Sequence, residues 1–229
     1  MTLQIFDTLE QGSQEWLDAR CGLLTASIVG KLITPTLKVA SNDTSRGITE
    51  TLVAERITQH VDFVFPNADM QRGTLDEPYA RDLYSEQYAP VTEIGFATRE
   101  IGLHSRYKLG ASPDGLVGTV GGIEIKSRKA KVHLRTILTD KVPAENMAQI
   151  QTCLLVFERS WWDYVSYSGG WPLHVIRVHP DPAWQDVIAD ALYQFEDNAA
   201  RMIADYTAAT DGAPIAPRID HYEEMEMGM

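Results

Sequence analysis

Apolar positions in this chain recur with helical spacing near both ends and alternate with polar positions in the middle. Residues 48–60 carry apolar side chains three or four positions apart, which predicts a helix. Another helix is predicted from Pro143, and a final amphipathic helix from about Pro182 to Ala208. The buried stripe expected on the middle one of these three helices consists of Met147, Ile150, Leu154 and Phe157.

Capping residues mark two short helices near the start of the chain. Ser13 can cap a helix from Gln14 to Arg20 that stops at Gly22, because a glycine accepts the backbone conformation that ends a helix. Thr25 has the features of a cap for a second helix, Ala26 to Ile33.

A polar loop and a further helix are expected next. Residues 34–47 are polar and are predicted to form a loop. Thr74 is predicted to begin a helix that runs to about Tyr88, in which Pro78 is tolerable because it falls near the first turn. Glu77 comes three residues after Thr74, which is the spacing of a capping box.

Strands occupy the middle of the chain and a later hairpin. Three strands of one sheet are predicted at Val91–Arg99, at Tyr107–Ala111 with Leu116-Val117, and at Gly122–Arg128. Two runs separated by Gly169-Gly170 predict a β-hairpin, namely Trp161–Ser168 and Trp171–His179. A central sheet with helices before and after it predicts an α/β fold. We expect one domain over residues 1–209 and an acidic, flexible tail over 210–229.

Composition narrows the class of protein. A chain of 229 residues can bury a substantial core, and no apolar run approaches the length of a membrane span, so no membrane partner is expected. The first residues show no secretory signal. Cys21 and Cys153 have no metal-ligand spacing, which predicts free thiols and a cytoplasmic location. The histidines do not cluster, so no zinc site is predicted.

The net charge of −12 taken alone argues against a nucleic-acid partner, but the distribution of charge along the chain does not. Residues 1–98 carry a net charge of −7 and residues 142–229 one of −10, whereas residues 99–141 hold nine basic and four acidic groups. An acidic body with one basic stripe would confine a polyanion to that stripe, although a solvated lysine-rich loop would have the same composition. The stripe contains Arg106, Lys108, Lys126, Arg128, Lys129, Lys131 and Arg135.

The most informative motif lies inside this basic stripe. Ser112-Pro113-Asp114-Gly115 is followed, after a glycine-rich turn, by Glu124-Ile125-Lys126. Side chains alternate along a strand, so Glu124 and Lys126 share one face, and Asp114 can join them if the preceding segment pairs back. Two carboxylates and an ammonium group would make a site for Mg²⁺ and an activated water, which is the chemistry of phosphodiester hydrolysis. Alternatively, the aspartate marks a plain turn and the other two lie on a solvated strand face.

Other candidate residues have a structural and a functional interpretation. Arg20 precedes a turn into the Thr25 helix, where it and Ser27 could hold a phosphate, but the spacing alone favours a surface arginine near the end of a helix. Glu77 could be part of its capping box or a third carboxylate for a second metal ion. Gln149 lies off the apolar stripe of its helix and could face solvent or a ligand.

Five ordered motifs of this chain resemble the lambda-exonuclease (phage recombinase) family. The similarity covers roughly residues 10 to 180 and departs after the lysine, where the family often has Cys-Pro and this chain has Ser127-Arg128. The motifs are the run from Gln14 to Ser27 (QEWLDARCGLLTAS), Arg72 to Glu77 (RGTLDE), Ser112 to Gly115 (SPDG), Glu124 to Lys126 (EIK) and Met147 to Gln151 (MAQIQ).

The resemblance implies a PD-(D/E)xK nuclease core, with a mixed β-sheet flanked by helices, and a Mg²⁺-dependent exonuclease. Such an enzyme digests one strand of double-stranded DNA from its 5′ end to mononucleotides and leaves a 3′ tail for a single-strand annealing protein. It also implies a ring-shaped homotrimer in the cytoplasm of a bacterial host, and Mn²⁺ as a substitute ion. A PD-(D/E)xK endonuclease or junction resolvase, or an inactive interaction protein, is the alternative.

The resemblance also implies a role for each matching residue. Asp114, Glu124 and the Ile125 carbonyl would hold Mg²⁺, and Glu77 would help to hold a second ion. Lys126 would position and activate the attacking water. The 5′-phosphate would be bound by Arg20, Ser27, Ser112 and Gln149, in a pocket that Trp16 supports.

Overall fold

The computed structural model describes residues 2–62, 64–102 and 107–219. Arg106 of the predicted basic stripe and residues 220–229 of the predicted tail lie outside these ranges. Seven α-helices lie within them: α1 (Gln14–Arg20), α2 (Ala26–Val29), α3 (Asp43–Thr58), α4 (Ala68–Gln87), α5 (Ala130–Thr139), α6 (Ala144–Phe157) and α7 (Pro182–Ala209). The strands of the same ranges are β1 (Leu3–Phe6), β2 (Leu24–Thr25), β3 (Val91–Thr92), β4 (Phe96–Ile101), β5 (Tyr107–Ala111), β6 (Gly115–Val117), β7 (Gly121–Ser127), β8 (Trp161–Tyr167) and β9 (His174–Val178).

The strands form two mixed sheets, one in the order β1-β4-β5-β2 and the other in the order β3-β6-β7-β8-β9. In the first sheet β2 runs parallel to β5, and in the second β7 runs parallel to β8. The predicted α/β class, with mixed β-structure flanked by helices, is confirmed. The prediction of a single sheet is corrected, because the chain leaves the first sheet after β5 and returns at β6 to the second sheet, to which β3 also belongs. Residues 112–114, which contain the predicted aspartate, make this crossing.

Several predicted elements are confirmed at their boundaries. Ser13 caps α1, with its hydroxyl accepting a hydrogen bond from the Trp16 amide. The hairpin of β8 and β9 is antiparallel, as expected. The predicted helix Ala26 to Ile33 consists of the short α2 followed by a 3₁₀ turn at Gly30–Leu32. The second Pro-Asp dipeptide of the chain is structural, since Asp181 caps α7 with its carboxylate.

Two helix starts were predicted wrongly because asparagine caps were not considered. Asn42 begins α3 within the expected loop of residues 34–47, and it exchanges hydrogen bonds with Ser45 as a capping box. Asn67 begins α4 by accepting from the amides of Asp69 and Met70. The Thr74–Glu77 capping box is therefore wrong: Thr74 lies inside the helix and donates to a carbonyl one turn earlier.

Pro78 lies in the middle of α4 instead of near its first turn. A proline removes one hydrogen bond from the interior of a helix, so its tolerance here requires compensation from packing. Ala80 and Tyr84 of the same helix are fully buried against the second sheet. Burial of this face stabilises the helix that carries Glu77.

The helix α6 supplies the centre of the main core. Ile150, Leu154 and Phe157 of the predicted stripe are buried, and Met147 is half-buried. Gly121 and Gly122 at the start of β7 lie against Trp161 and Trp162 so closely that a Cβ atom would come within 2.1 and 2.4 Å of the rings. This contact holds β7 and β8 in register.

The end of the described chain agrees with the expected order of elements. Helix α7 runs to Ala209, and residues 211–219 are exposed and form no further helix or strand. The boundary between a domain and a tail at residues 209 and 210 stays a prediction. Among the described helices, none combines the length and the apolar character that a bilayer crossing requires.

The segment after β7 forms helix α5, which the sequence analysis did not predict. His133 of α5 is fully buried, with its Nδ1 atom 2.8 Å from Ser166 Oγ and its Nε2 atom 3.1 Å from the Pro172 carbonyl oxygen. Because the carbonyl can only accept, Nε2 carries the proton and Nδ1 accepts from the serine in the neutral ring. Burial lowers the pKa of His133 below its ordinary value.

The lowered pKa of His133 predicts acid sensitivity of the fold. Below about pH 6.5 the unfolded chain binds a proton at this histidine before the folded chain does, so stability falls as the pH falls. The variant His133→Gln loses the two hydrogen bonds but cannot bind the proton. We expect it to be less stable than the wild type at neutral pH, and the difference in urea unfolding free energy to narrow towards about pH 5.5. A difference that is constant with pH would contradict this account.

Candidate active site

The crossing between the two sheets brings Asp114 to β7. Strand β6 pairs with β7 so that Gly115 lies opposite Ile123. The Asp114 carboxylate accepts a hydrogen bond from the Ile125 amide, with Oδ2 2.6 Å from the nitrogen. Arg81 of α4 donates to the Asp114 backbone carbonyl over 2.8 Å. Both ends of this aspartate are therefore fixed by groups of the fold.

Glu124 and Lys126 lie side by side on one face of β7, as the alternation of a strand requires. Ile123 and Ile125 point into the core on the other face. Glu124 is 0% exposed, and Lys126 Nζ lies 2.5 Å from its Oε1 atom. Lys126 thus neutralises Oε1, whereas within the described chain Oε2 has no hydrogen-bond donor. A buried carboxylate oxygen without a hydrogen bond is costly for stability.

Glu77 approaches the same place from α4. Its carboxylate pairs with Arg81, one turn later on the helix. The other arm of the Arg81 guanidinium lies 2.6 Å from Glu93. Arg81, which the sequence analysis did not single out, thus connects Glu77, Glu93 and the Asp114 carbonyl.

The three carboxylates shift one another's acidity. Burial and then the charge of Asp114 raise the pKa of Glu77 and of Glu124, and burial raises the pKa of Asp114. Burial alone would lower the pKa of Lys126, but the nearby charges of Glu124 and Asp114 raise it above its ordinary value. Like charges held together in this way create a strongly negative place that favours a cation.

A second group of predicted residues gathers around Arg20. Its guanidinium lies 3.3 Å from Thr25 Oγ1 and 3.5 Å from Ser27 Oγ, and it covers the Trp16 ring at 4.0 Å. The Trp16 indole N–H donates to Ser112 Oγ over 3.0 Å. Trp16 therefore connects Arg20 to the segment that carries Asp114.

The turn that presents Arg20 is fixed to two long helices. Gly22 has a positive φ of 66°, and a Cβ atom there would lie 2.3 Å from the Arg56 side chain. The Gly22 amide donates to Glu55, and its carbonyl accepts from Arg56, each over 2.7 Å. Arg56 also makes a two-armed contact of 2.7 Å with Glu196 of α7. Burial lowers the pKa of Arg20, and Glu55 opposes that shift.

Both groups line one cavity of about 500 Å³. Trp16 is the exception: it is buried beneath this cavity and lines a neighbouring one of about 740 Å³, which Glu77 and Asp114 also line. The predicted residues that line the first cavity are Arg20, Ser27, Glu77, Ser112, Asp114, Glu124, Ile125, Lys126 and Gln149. In residues 2–62, 64–102 and 107–219, no group of three or more His, Cys, Asp or Glu side chains is arranged to hold a metal ion.

The sequence analysis missed three residues, of which Thr25 and Arg81 line the two cavities and Asp163 anchors helix α4. Thr25 was assigned as a helix cap, yet its hydroxyl makes no capping hydrogen bond and contacts Arg20 instead. Arg81 could have been found from its spacing of four residues after Glu77 on a helix. Asp163 could not, because its partners Tyr84 and Arg177 come from distant parts of the chain.

Solved structures with this architecture identify the class of protein. LHK-Exo, an alkaline exonuclease from Laribacter hongkongensis solved in complex with dAMP, is 32% identical over 86% of this chain and 98% of that chain, with a TM-score of 0.76. A phage related exonuclease from Haemophilus somnus 129PT is 12% identical over 80% and 96% of the two chains, with a TM-score of 0.62, and shares the fold. Fold and site together define a hydrolase of the PD-(D/E)xK nuclease class.

The family follows from the sequence match. Residues 15–160 match the YqaJ-like viral recombinase domain, which covers more than half of the chain. The chain belongs to this family, and the resemblance to the lambda-exonuclease family of phage recombinases is confirmed. A search of curated proteins found no match.

The crowding of carboxylates predicts opposite effects of replacing the half-buried Asp114 and the buried Asp163. Asp114→Asn keeps an oxygen for the Ile125 amide but removes the repulsion with Glu124 and Glu77, so we expect the free energy of unfolding in a chelator to rise by about 1 kcal/mol. Asp163→Asn is the matched control, because Asp163 accepts from Tyr84 and from both arms of Arg177. The free energy of unfolding of Asp163→Asn should fall by about 2 kcal/mol. Urea unfolding at neutral pH measures both, and a loss for Asp114→Asn would contradict the argument.

Proposed function

We propose that this protein is an exonuclease that degrades one strand of linear double-stranded DNA from its 5′ end. The observation that carries the proposal is the single cavity in which Arg20, Ser27, Ser112 and Gln149 lie beside Asp114, Glu124 and Lys126. The first four are donors suited to a terminal phosphate, and the last three are suited to hydrolysis of the next phosphodiester bond. Membership of the viral recombinase family and the similarity to an alkaline exonuclease support it.

Mg²⁺ is the proposed cofactor, with Mn²⁺ as a substitute. The residues fit a hard cation, because the buried Glu124 Oε2 atom accepts no hydrogen bond within the described chain and the charges of Asp114 and Glu77 repel Glu124. Asp114, Glu124 and the Ile125 carbonyl would hold one ion, and Glu77 would help to hold a second. Bound there, the metal would neutralise charge on the phosphate and acidify a water molecule.

Lys126 is proposed to orient the attacking water. Its ammonium group lies at the cavity wall and is fixed by Glu124, so it presents donors in a constant direction. A positioned donor lowers the entropic cost of bringing water and phosphate together. Asp114 contributes a second fixed oxygen, since its hydrogen bond to the Ile125 amide prevents rotation of the carboxylate.

The residues around Arg20 are proposed to form a phosphate pocket that would favour one end of the strand. The Arg20 guanidinium lies over the Trp16 ring, and a planar guanidinium binds two phosphate oxygens at once. Ser27 and Ser112 add hydroxyl donors, and Gln149 an amide, from three other parts of the chain. We infer that this pocket anchors the 5′-phosphate, while Trp16 keeps Ser112 in place.

The proposal extends to assembly and partners. A ring-shaped homotrimer around DNA would place the basic helix α5 at its hole, and the 3′ tail left by digestion would pass to a single-strand annealing protein in the cytoplasm of a bacterial host. Lys131 and Arg135 of that helix and its N-cap Lys129 are exposed, which supports the role. Light scattering that gives the mass of a single chain would overturn the trimer.

The first test of the function uses linear duplex DNA labelled at the 5′ end of one strand and the 3′ end of the other. With Mg²⁺, we expect early release of the 5′ label as mononucleotide, while the 3′ label and a closed circular DNA stay intact. Asp114→Asn should reduce the rate by several orders of magnitude with the fold retained, because it removes a proposed metal ligand. Cutting of the circle would instead assign an endonuclease, and near wild-type digestion by the variant would refute the site.

The second test concerns the strand end. Arg20→Ala should slow digestion of 5′-phosphorylated ends by about 10- to 100-fold, which corresponds to the loss of a charged hydrogen-bonding partner. Digestion of 5′-hydroxyl ends should change much less. Arg46→Ala, which removes an exposed arginine of α3, is the control and should leave both rates unchanged. An equal loss on both kinds of end would exclude the proposed role of Arg20.

A further inference from the structure

A further cavity, of about 320 Å³ and here called the second cavity, adjoins the 500 Å³ cavity of the candidate active site. Asp69, Met70 and Ser127 line both cavities, so the two are continuous at this point. Among the described residues that line the second cavity, three are basic (Arg72, Arg128 and Lys129) and one is acidic (Asp69). Ser127 directly follows Lys126, and the second cavity therefore begins one residue from the proposed catalytic lysine.

The three basic side chains differ in what holds them. Arg128 is committed to the fold, since it donates to the Tyr164 hydroxyl and to Asn146. Arg72 donates to Ser127 Oγ over 3.1 Å and to Asp69 Oδ1 over 2.6 Å. Lys129 Nζ lies 3.1 Å from both oxygens of Asp69. The Asp69 carboxylate thus occupies the space between two cations that come from different elements, α4 and the start of α5.

This arrangement is weak enough to be displaced. The side chains of Asp69 and Lys129 are 56% and 68% exposed, and that of Arg72 is 34% exposed. Ion pairs at such exposure contribute little to stability, because water screens them. Hydrogen bonds from Arg72 and then from Lys129 lower the pKa of Asp69, so the carboxylate keeps its charge at neutral pH. A carboxylate and a phosphate offer the same kind of oxygen acceptors to a guanidinium group.

We propose that Arg72 and Lys129 form a subsite for a backbone phosphate of the DNA strand beside the active site, and that Asp69 fills this subsite when DNA is absent. The inference rests on the proposed function, since it assigns a further contact to the same substrate. Binding of the strand breaks the two ion pairs of Asp69 and replaces them with pairs to phosphate. Asp69 therefore acts against DNA binding and keeps the two cations ordered in the free enzyme.

The test measures the affinity for a short fluorescent 5′-phosphorylated duplex in a chelator, so that no digestion occurs. Asp69→Asn should bind DNA at least about threefold more tightly than the wild type, because Arg72 and Lys129 no longer have to break ion pairs with a carboxylate before they bind phosphate. The double variant Arg72→Gln/Lys129→Gln should bind about tenfold more weakly. Its dependence on salt should also become shallower, by about the one phosphate contact that the two cations share.

The matched control is Asp43→Asn. Asp43 pairs with Arg46 three residues later in the first turn of α3, as Asp69 pairs with Arg72 in α4, but it lines neither cavity. Its affinity for DNA should equal that of the wild type. Unchanged binding by Asp69→Asn, or by the double variant, overturns the subsite.

Digestion of the labelled duplex with Mg²⁺ separates this inference from the proposed function. A wild type that digests DNA while the double variant binds normally would refute the subsite alone. A wild type that neither binds nor digests DNA would refute both. Tighter binding by Asp69→Asn together with looser binding by the double variant supports the subsite.

Discussion

The structure depends on holding Glu124, Asp114 and Glu77 close together inside the protein. Their charges repel, and burial disfavours each of them further, as the raised pKa values show. Lys126 and Arg81 supply the opposing charge, and the Ile125 amide supplies a hydrogen bond. These contacts offset only part of the cost, so the surrounding fold must be stable enough to keep the group in place. Such unfavourable electrostatics are typical of sites selected for reactivity.

The fold holds each element that carries a site residue through contacts with at least one other helix or strand. Strand β7 carries Glu124 and Lys126 in the middle of the second sheet, with the glycine–tryptophan contacts of β8 beside it. Helix α4, which carries Glu77, is anchored by a buried hydrogen bond from Tyr84 to Asp163 of β8, and the exposed Arg177 of β9 donates to the same carboxylate. Arg20 is fixed through Gly22 to α3 and, by way of Arg56, to α7. The parts of the cavity thus belong to elements that cannot move independently.

Local patterns predicted much of this molecule, and the failures have identifiable causes. The alternation in Glu124-Ile125-Lys126 placed the two charged residues on one face of a strand, which the structure confirms. The capping signals at Ser13 and Gly22 gave α1 its correct ends. Helix α4 starts at the Asn67 cap and not at Thr74, and a buried face keeps the helix continuous through Pro78, which local propensity does not reveal. Likewise, the division of the strands into two sheets depends on long-range pairing, which adjacent residues do not encode.

The segment that crosses between the sheets sets the distance between the proposed phosphate pocket and the proposed metal ligands. Ser112, on the phosphate side of the cavity, and Asp114, on the carboxylate side, are two residues apart on one short segment. Two residues span at most about 7 Å. The anchored end of a strand and the bond to be hydrolysed are therefore held at a separation set by the backbone and not by flexible side chains. In the proposed reaction, the size of each released product becomes a property of the fold.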